Sequence, residues 1–192
     1  MGAIDRRLAA IMVADMEQYS RLMHEDEPGT VLAWQETREE VIKPTLASHS
    51  GNILKNTGDG FVAEFATVSG AVECSVAMQT MLIDRNRDRP EGRHLNFRIG
   101  INLGEITVDT DDFYGDGVNI AARLEGLAEA PGICISSHVY DQIRNKVTCR
   151  FEDVGDTLVK NIADPIRVYR ILCEPPEASV AENSDDAGSE AT

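Results

Sequence analysis

Two aspartates, an asparagine and an arginine stand where they could act on a phosphate. Asp15 ends an apolar run, RLAAIMVAD (7–15), and Asp59 lies between two glycines in KNTGDGFV (55–62). Hard carboxylates, joined by a carbonyl and by phosphate oxygens, are the usual surroundings of Mg²⁺ or Mn²⁺. A pair of such ions can activate an attacking hydroxyl and stabilise charge developing on the reacting phosphate. Gly-Asp-Gly is by itself also an ordinary hairpin turn whose acid faces water. The metal reading therefore requires the strand ending at Asp15 to lie beside that hairpin. In DDFYGDGVNIAAR (111–123), Gly115 and Gly117 permit close approach to a ligand. Asn119 and Arg123 are i and i+4 on one helical face. An uncharged donor and a guanidinium aimed together suit a transition state that gains charge on phosphoryl oxygens. The same two residues also read as a helix cap and a surface arginine.

These groups need a scaffold. The run at 7–15 reads as a buried strand. EPGTVLAWQETREEVIKPTL (27–46) reads as a helix, with Pro28 near its start, Pro44 near its end, and Val31, Leu32, Trp34, Val41 and Ile42 toward the core. GNILKNT and FVAEFATV pair as a hairpin around Gly58-Asp59-Gly60. Residues 69–86 carry an apolar stripe through Ala71, Val72, Val76 and Leu82 at helical spacing, which reads as core packing. LNFRIGINL and EITVD read as two strands broken at Gly104-Glu105. The order strand, helix, strand, strand, helix, strand predicts an α+β fold: a ferredoxin-like βαββαβ core, an antiparallel sheet backed by helices. A helix VNIAARLEGLAEA, a strand ICIS, a helix HVYDQIRNKV and a closing strand pair, RFEDVG with RVYRIL, extend it.

The composition limits the partners. With 192 residues, 42% of them hydrophobic, the chain suits one domain over 1–173. A Pro-, Ser- and Ala-rich acidic tail over 174–192 is expected to be disordered. Of the net charge of −15, six negative charges belong to that tail and −9 remains on the body. An acidic body without a basic stripe argues against nucleic acid as the partner. A phosphate ligand here would need metal ions and a few placed cations. No apolar run approaches the ~20 residues of a membrane helix, and no secretory or myristoylation signal is read at the N-terminus. Cys74, Cys134, Cys149 and Cys173 are widely spaced without a zinc pattern, so they read as reduced thiols of a cytoplasmic protein. The four histidines are scattered and read as surface residues, Trp34 as helix core, and Asp109, Asp111 and Asp116 as solvated loop charges.

Together, Asp15 in VADMEQYS, Lys55 and Asp59 in KNTGDG, and Asp112 through Arg123 in DFYGDGVNIAAR resemble the class III nucleotidyl cyclase catalytic domain. FRIGINLGEI (97–106) and LVKNIADPIRVYRI (158–171) fit that family's later strands, and the resemblance covers roughly residues 5–172. It implies that Asp15 and Asp59, with the backbone carbonyl of Met16, hold two Mg²⁺ or Mn²⁺ ions. It further implies that Asn119 orients the ribose, Arg123 stabilises the transition state, and Arg98 and Lys160 contact the phosphates. Lys55 and Asp112 would read the base: a lysine donates and an aspartate accepts, which complements adenine. ATP is then the expected substrate, cyclised to 3′,5′-cyclic AMP and pyrophosphate.

The resemblance also implies a homodimer with shared sites. Asp15, Asp59 and Arg98 would come from one subunit; Lys55, Asp112, Asn119, Arg123 and Lys160 would come from its partner. One departure stands out. Where the family often has Gly-Phe-Thr after the first aspartate, this chain has Gln18-Tyr19-Ser20, which could hold the backbone farther from the phosphates. Alternatives are guanylate or mixed purine cyclase activity, a catalytically silent nucleotide-binding regulatory module, and a palm-type polymerase. A regulatory domain or partner outside this stretch is left open.

Overall fold

The computed structural model describes residues 5–108, 113–158 and 165–172. β1 (Asp5–Met16) is apolar from Leu8 to Ala14, and from Ala9 onward it is buried or half-buried on both faces. Ala10, Met12, Ala14 and Met16 enter one layer, and Ala9 and Ile11 the other. The hairpin strands β2 (Gly51–Asn56) and β3 (Gly60–Phe65) lie on one side of β1, and β4 (Phe97–Val108) on the other. The order β2-β3-β1-β4, all antiparallel, is the predicted βαββαβ core. Beyond β4 the sheet continues through β6 (Gly132–Ser136), β8 (Ile166–Leu172) and β7 (Arg150–Thr157); the two-residue β5 (Phe113–Tyr114) pairs β4 off this path. β6 runs parallel to β4, as a crossover through the intervening helix requires, so the sheet is antiparallel everywhere else but not at this step.

One face carries most of the helices. α1 (Tyr19–Glu25), α2 (Glu27–Thr37), α3 (Lys43–Ser48), α4 (Val68–Asn86) and α6 (Ser137–Ile143) place Leu22, Trp34, Leu46, Val72, Met78, Leu82 and Val139 against the sheet. α1 is a short helix that the sequence pattern did not announce. The long helix expected over 27–46 is interrupted by a π-helical turn, Arg38–Ile42, which turns Val41 and Ile42 into the core. Leu32, expected in that core, is 57% exposed on the outer side of α2. The other face carries α5 (Asp116–Leu127), the one helix on it among the described residues.

β4 runs unbroken for 12 residues, where two strands were expected. Gly104 marks a helix crossing rather than a turn. A Cβ built on Gly104 would stand 2.8 Å from Gly117 Cα, and one on Gly100 would stand 2.1 Å from the Ala121 carbonyl oxygen. Both glycines let α5 lie directly on the β4 backbone. Cys74 and Cys134 are buried free thiols and Cys149 is half-buried and free, as their spacing suggested. Among the described residues no helix is long and apolar enough to cross a membrane. The tail assigned to 174–192 lies outside the described residues.

Candidate active site

The two glycines around Asp59 have separate reasons. Gly58 adopts φ +89°, a left-handed conformation that glycine accepts without a Cβ penalty. Gly60 sits opposite Asp15 in the β1–β3 register, where a Cβ would stand 2.0 Å from the Ala14 carbonyl oxygen. The turn is therefore pressed against the end of β1, and the Met16 N–H donates to the Asp59 carbonyl at 3.0 Å. Trp34 holds the turn from the helix layer: its indole N–H donates to the Gly58 carbonyl at 2.7 Å, and its ring lies 5.6 Å from that of Phe97. Its expected core role stands, since it is 6% exposed, but it also fixes the turn that carries Asp59.

On β1, Asp15 is opposite both Gly60 and Arg98, and directly opposed residues share a face of the sheet. The Arg98 guanidinium donates to Asp15 at 2.8 Å and stands 2.9 Å from Glu125 of α5. Burial pushes the Asp15 carboxyl above its usual range; the hydrogen bond from Arg98 opposes this, and the charge of Asp59 adds to it. Two acids that repel at a half-buried strand end, beside a chain that is acidic overall, form a donor set suited to a hard divalent cation. Among the described residues no group of three His, Cys, Asp or Glu is placed to hold a metal ion. Asp15, Asp59 and Arg98 are thus brought together, with Met16 between them.

Asn119 and Arg123 are not part of that cluster. Both are exposed on α5, whereas Ala121, Leu124 and Glu125 are buried. At about 100° per residue, Asn119 lies about 120° and Arg123 about 160° around the helix from Glu125. Glu125 faces Arg98, so the other two residues face away from the acids of their own chain.

Lys55 reaches its place through a β-bulge. Ile53 is opposite Ala63 and Lys55 is opposite Val62, so the register shifts between them. Without the shift Lys55 would share the face of Ile53, under the helices. With it, Lys55 lies on the α5 face, its ammonium 6.0 Å from the centre of the Phe113 ring. Asp112, the residue before Phe113, and Lys160 lie outside the described residues, as do Asp109 and Asp111. Asp116, read as a turn residue, is the first residue of α5. Gln18 keeps the backbone that a glycine would favour, with φ 58° and ψ 24°. That left-handed conformation costs about 1–2 kcal/mol for a residue with a Cβ.

Sequence reasoning missed Trp34 and Glu125 as parts of this constellation. Nothing in an amphipathic helix pattern distinguishes a core indole from one that donates to a turn 24 residues away. Trp34→Phe keeps the ring and removes the donor. It is expected to cost about 1 kcal/mol of stability and, with Asp59 as a metal ligand, would raise the half-saturating Mg²⁺ concentration roughly tenfold. Urea unfolding and a Mg²⁺ titration of activity check the two effects.

Residues 5–172 match the family described as "Adenylate and Guanylate cyclase catalytic domain". The chain is 42% identical over 194 residues to "Putative adenylate cyclase 3" of Rhizobium meliloti (strain 1021), which covers 95% of this chain and 33% of that protein. The chain therefore spans about a third of that relative's length. A crystal structure described as an adenylate/guanylate cyclase/hydrolase from Silicibacter pomeroyi superposes with a TM-score of 0.83 at 40% identity, over 88% of this chain and 99% of that one. The adenylyl cyclase CyaB from P. aeruginosa gives a TM-score of 0.79 at 25% identity, over 91% and 98%. The chain belongs to the adenylate and guanylate cyclase catalytic domain family.

Proposed function

We propose that the protein converts ATP to 3′,5′-cyclic AMP and pyrophosphate at sites shared between two copies of the chain. The observation that carries this reading is the division around α5. Asp15, Asp59 and Arg98 gather at the strand ends, while Asn119 and Arg123 face away from them on the far side of the helix. A second copy related by a two-fold axis would bring its Asn119 and Arg123 to the acids of the first, and the reverse. The half-buried Val13, Leu54 and Val118 on the α5 face offer apolar surface for such a partner.

In the shared site, the ribose 3′-oxygen attacks the α-phosphorus. The new O–P bond forms as the bond to the bridging oxygen of the β-phosphate breaks, releasing pyrophosphate and a proton. Asp15 and Asp59, with the Met16 carbonyl, would hold Mg²⁺ or Mn²⁺. Bound there, these ions supply a lower pKa for the 3′-hydroxyl and neutralise triphosphate charge. Arg98 faces the triphosphate from the same chain. From the partner, Asn119 orients the ribose, Arg123 stabilises the charge gained in the transition state, and Lys160 binds the triphosphate. Lys55, turned by its bulge toward Phe113, donates to adenine N1, and Asp112 accepts from the N6 amino group.

The test is to supply ATP or GTP with Mn²⁺ and resolve the products by chromatography. Cyclic AMP with an equal amount of pyrophosphate is expected, in clear excess over cyclic GMP. A folded dimer that makes no cyclic product from either would overturn the proposal. The variant Lys55→Glu with Asp112→Cys is expected to shift the ratio of cyclic products toward cyclic GMP while total activity falls. An unchanged ratio in an active double variant would remove the base-reading role.

A further inference from the structure

Glu125 is an ionisable residue buried in the helix that carries Asn119 and Arg123. Its side chain is 12% exposed and its carboxylate oxygen stands 2.9 Å from Arg98 Nε. Both atoms are buried, and the contact is an ion pair by distance without an aligned hydrogen bond. Burial raises its pKa to about 7; Arg98 opposes the rise, and the charges of Asp15 and Asp59 add to it. The backbone leaves it little freedom, because a Cβ on Gly100 would stand 2.2 Å from the Glu125 nitrogen. α5 is therefore seated on β4 two residues from Arg98, on the same face. The planar guanidinium is flanked from two elements: Asp15 of β1 accepts a hydrogen bond from Nη2, and Glu125 of α5 stands beside Nε.

Resting on the shared-site reading above, we propose that Glu125 is a positioning residue that aims Arg98 of its own chain at the substrate triphosphate. In the free chain Arg98 has two carboxyl partners, Asp15 and Glu125. Once the Asp15 carboxylate is engaged as a metal ligand, Glu125 is the carboxyl group left to orient the guanidinium. Its service goes to the site containing its own Asp15, although its helix delivers Asn119 and Arg123 to the other site.

Glu125→Gln keeps the volume and removes the charge. It is expected to raise KM for ATP roughly tenfold with kcat within about threefold, since ground-state and transition-state binding through Arg98 are lost together. Binding of 3′-deoxy-ATP, which lacks the attacking hydroxyl, should weaken by the same factor in calorimetry with Mg²⁺. Glu125→Asp should recover part of the affinity, and Arg98→Ala with Glu125→Gln should bind no more weakly than Arg98→Ala alone.

Mixed dimers separate an effect through Arg98 from a general effect on α5. Paired with an Arg123→Ala chain, the Glu125→Gln chain contributes only α5 to the one whole site, and KM should be that of wild type. Paired with an Asp15→Ala chain, it contributes Arg98 to the whole site, and KM should be raised. Wild-type affinity in Glu125→Gln, additive losses with Arg98→Ala, or the reverse pattern in the mixed dimers would overturn the proposal. A wild-type protein that fails to bind 3′-deoxy-ATP would instead overturn the cyclase reading, and this proposal with it.

Discussion

Asp15→Ala and Asp59→Ala are each expected to lower the cyclisation rate by about 10³-fold or more with Mg²⁺, without loss of fold or dimer. The size follows from the several kcal/mol of transition-state stabilisation that a bound divalent ion contributes, at tenfold per ~1.4 kcal/mol. Retention of the fold follows from the local electrostatics. Asp15 is half-buried with its carboxyl raised by burial and by Asp59, so its removal relieves repulsion. Arg98 is not orphaned by the change, because Glu125 remains 2.9 Å from it. Circular dichroism, sedimentation and a product assay check the three parts. Near wild-type turnover in either variant would remove these acids from the metal site.

The sheet was legible in the sequence wherever burial on both faces made a strand continuously apolar, as in RLAAIMVAD, or where turn residues punctuated it, as in Gly58-Asp59-Gly60. The order of elements followed, and with it the neighbourhood of Asp15 and Asp59 that the metal reading required. What escaped was set by tertiary contact. Gly104 looks like a strand break in one dimension. In three it is the point where α5 touches β4, and the strand continues beneath it. Leu32 has the right period for the core, but the helix rotates it outward ahead of the π-helical turn.

Within the site, residue types were readable and orientations were not. Lys55 was readable as a candidate base-reading group, yet only the bulge after Ile53 puts it on the face of Phe113 and α5. Gln18 appeared to forfeit a close approach of the backbone, but the chain adopts the glycine-like conformation all the same. Glu125 drew no attention because a glutamate in an amphipathic helix ordinarily faces water. Its burial follows from Gly100 and Arg98, which lie in a distant part of the sequence.

Two inactive proteins are expected to restore one another. In the proposed shared site, Asp15→Ala would break the metal half and Arg123→Ala the transition-state half. In either homodimer each of the two sites contains one broken half, so both proteins should be nearly inert. In a mixed dimer both defects fall in the same site, and the other site has wild-type residues throughout. Random exchange of equal amounts makes half the dimers mixed, each with one whole site of two. With independent sites, activity should return to roughly a quarter of wild type per chain, from two-fold symmetry alone. The rate of cyclic AMP formation in that equal mixture, after confirmed subunit exchange, is the most direct measurement: recovery to about a quarter is predicted, and a mixture as inert as its components would contradict a site shared between chains.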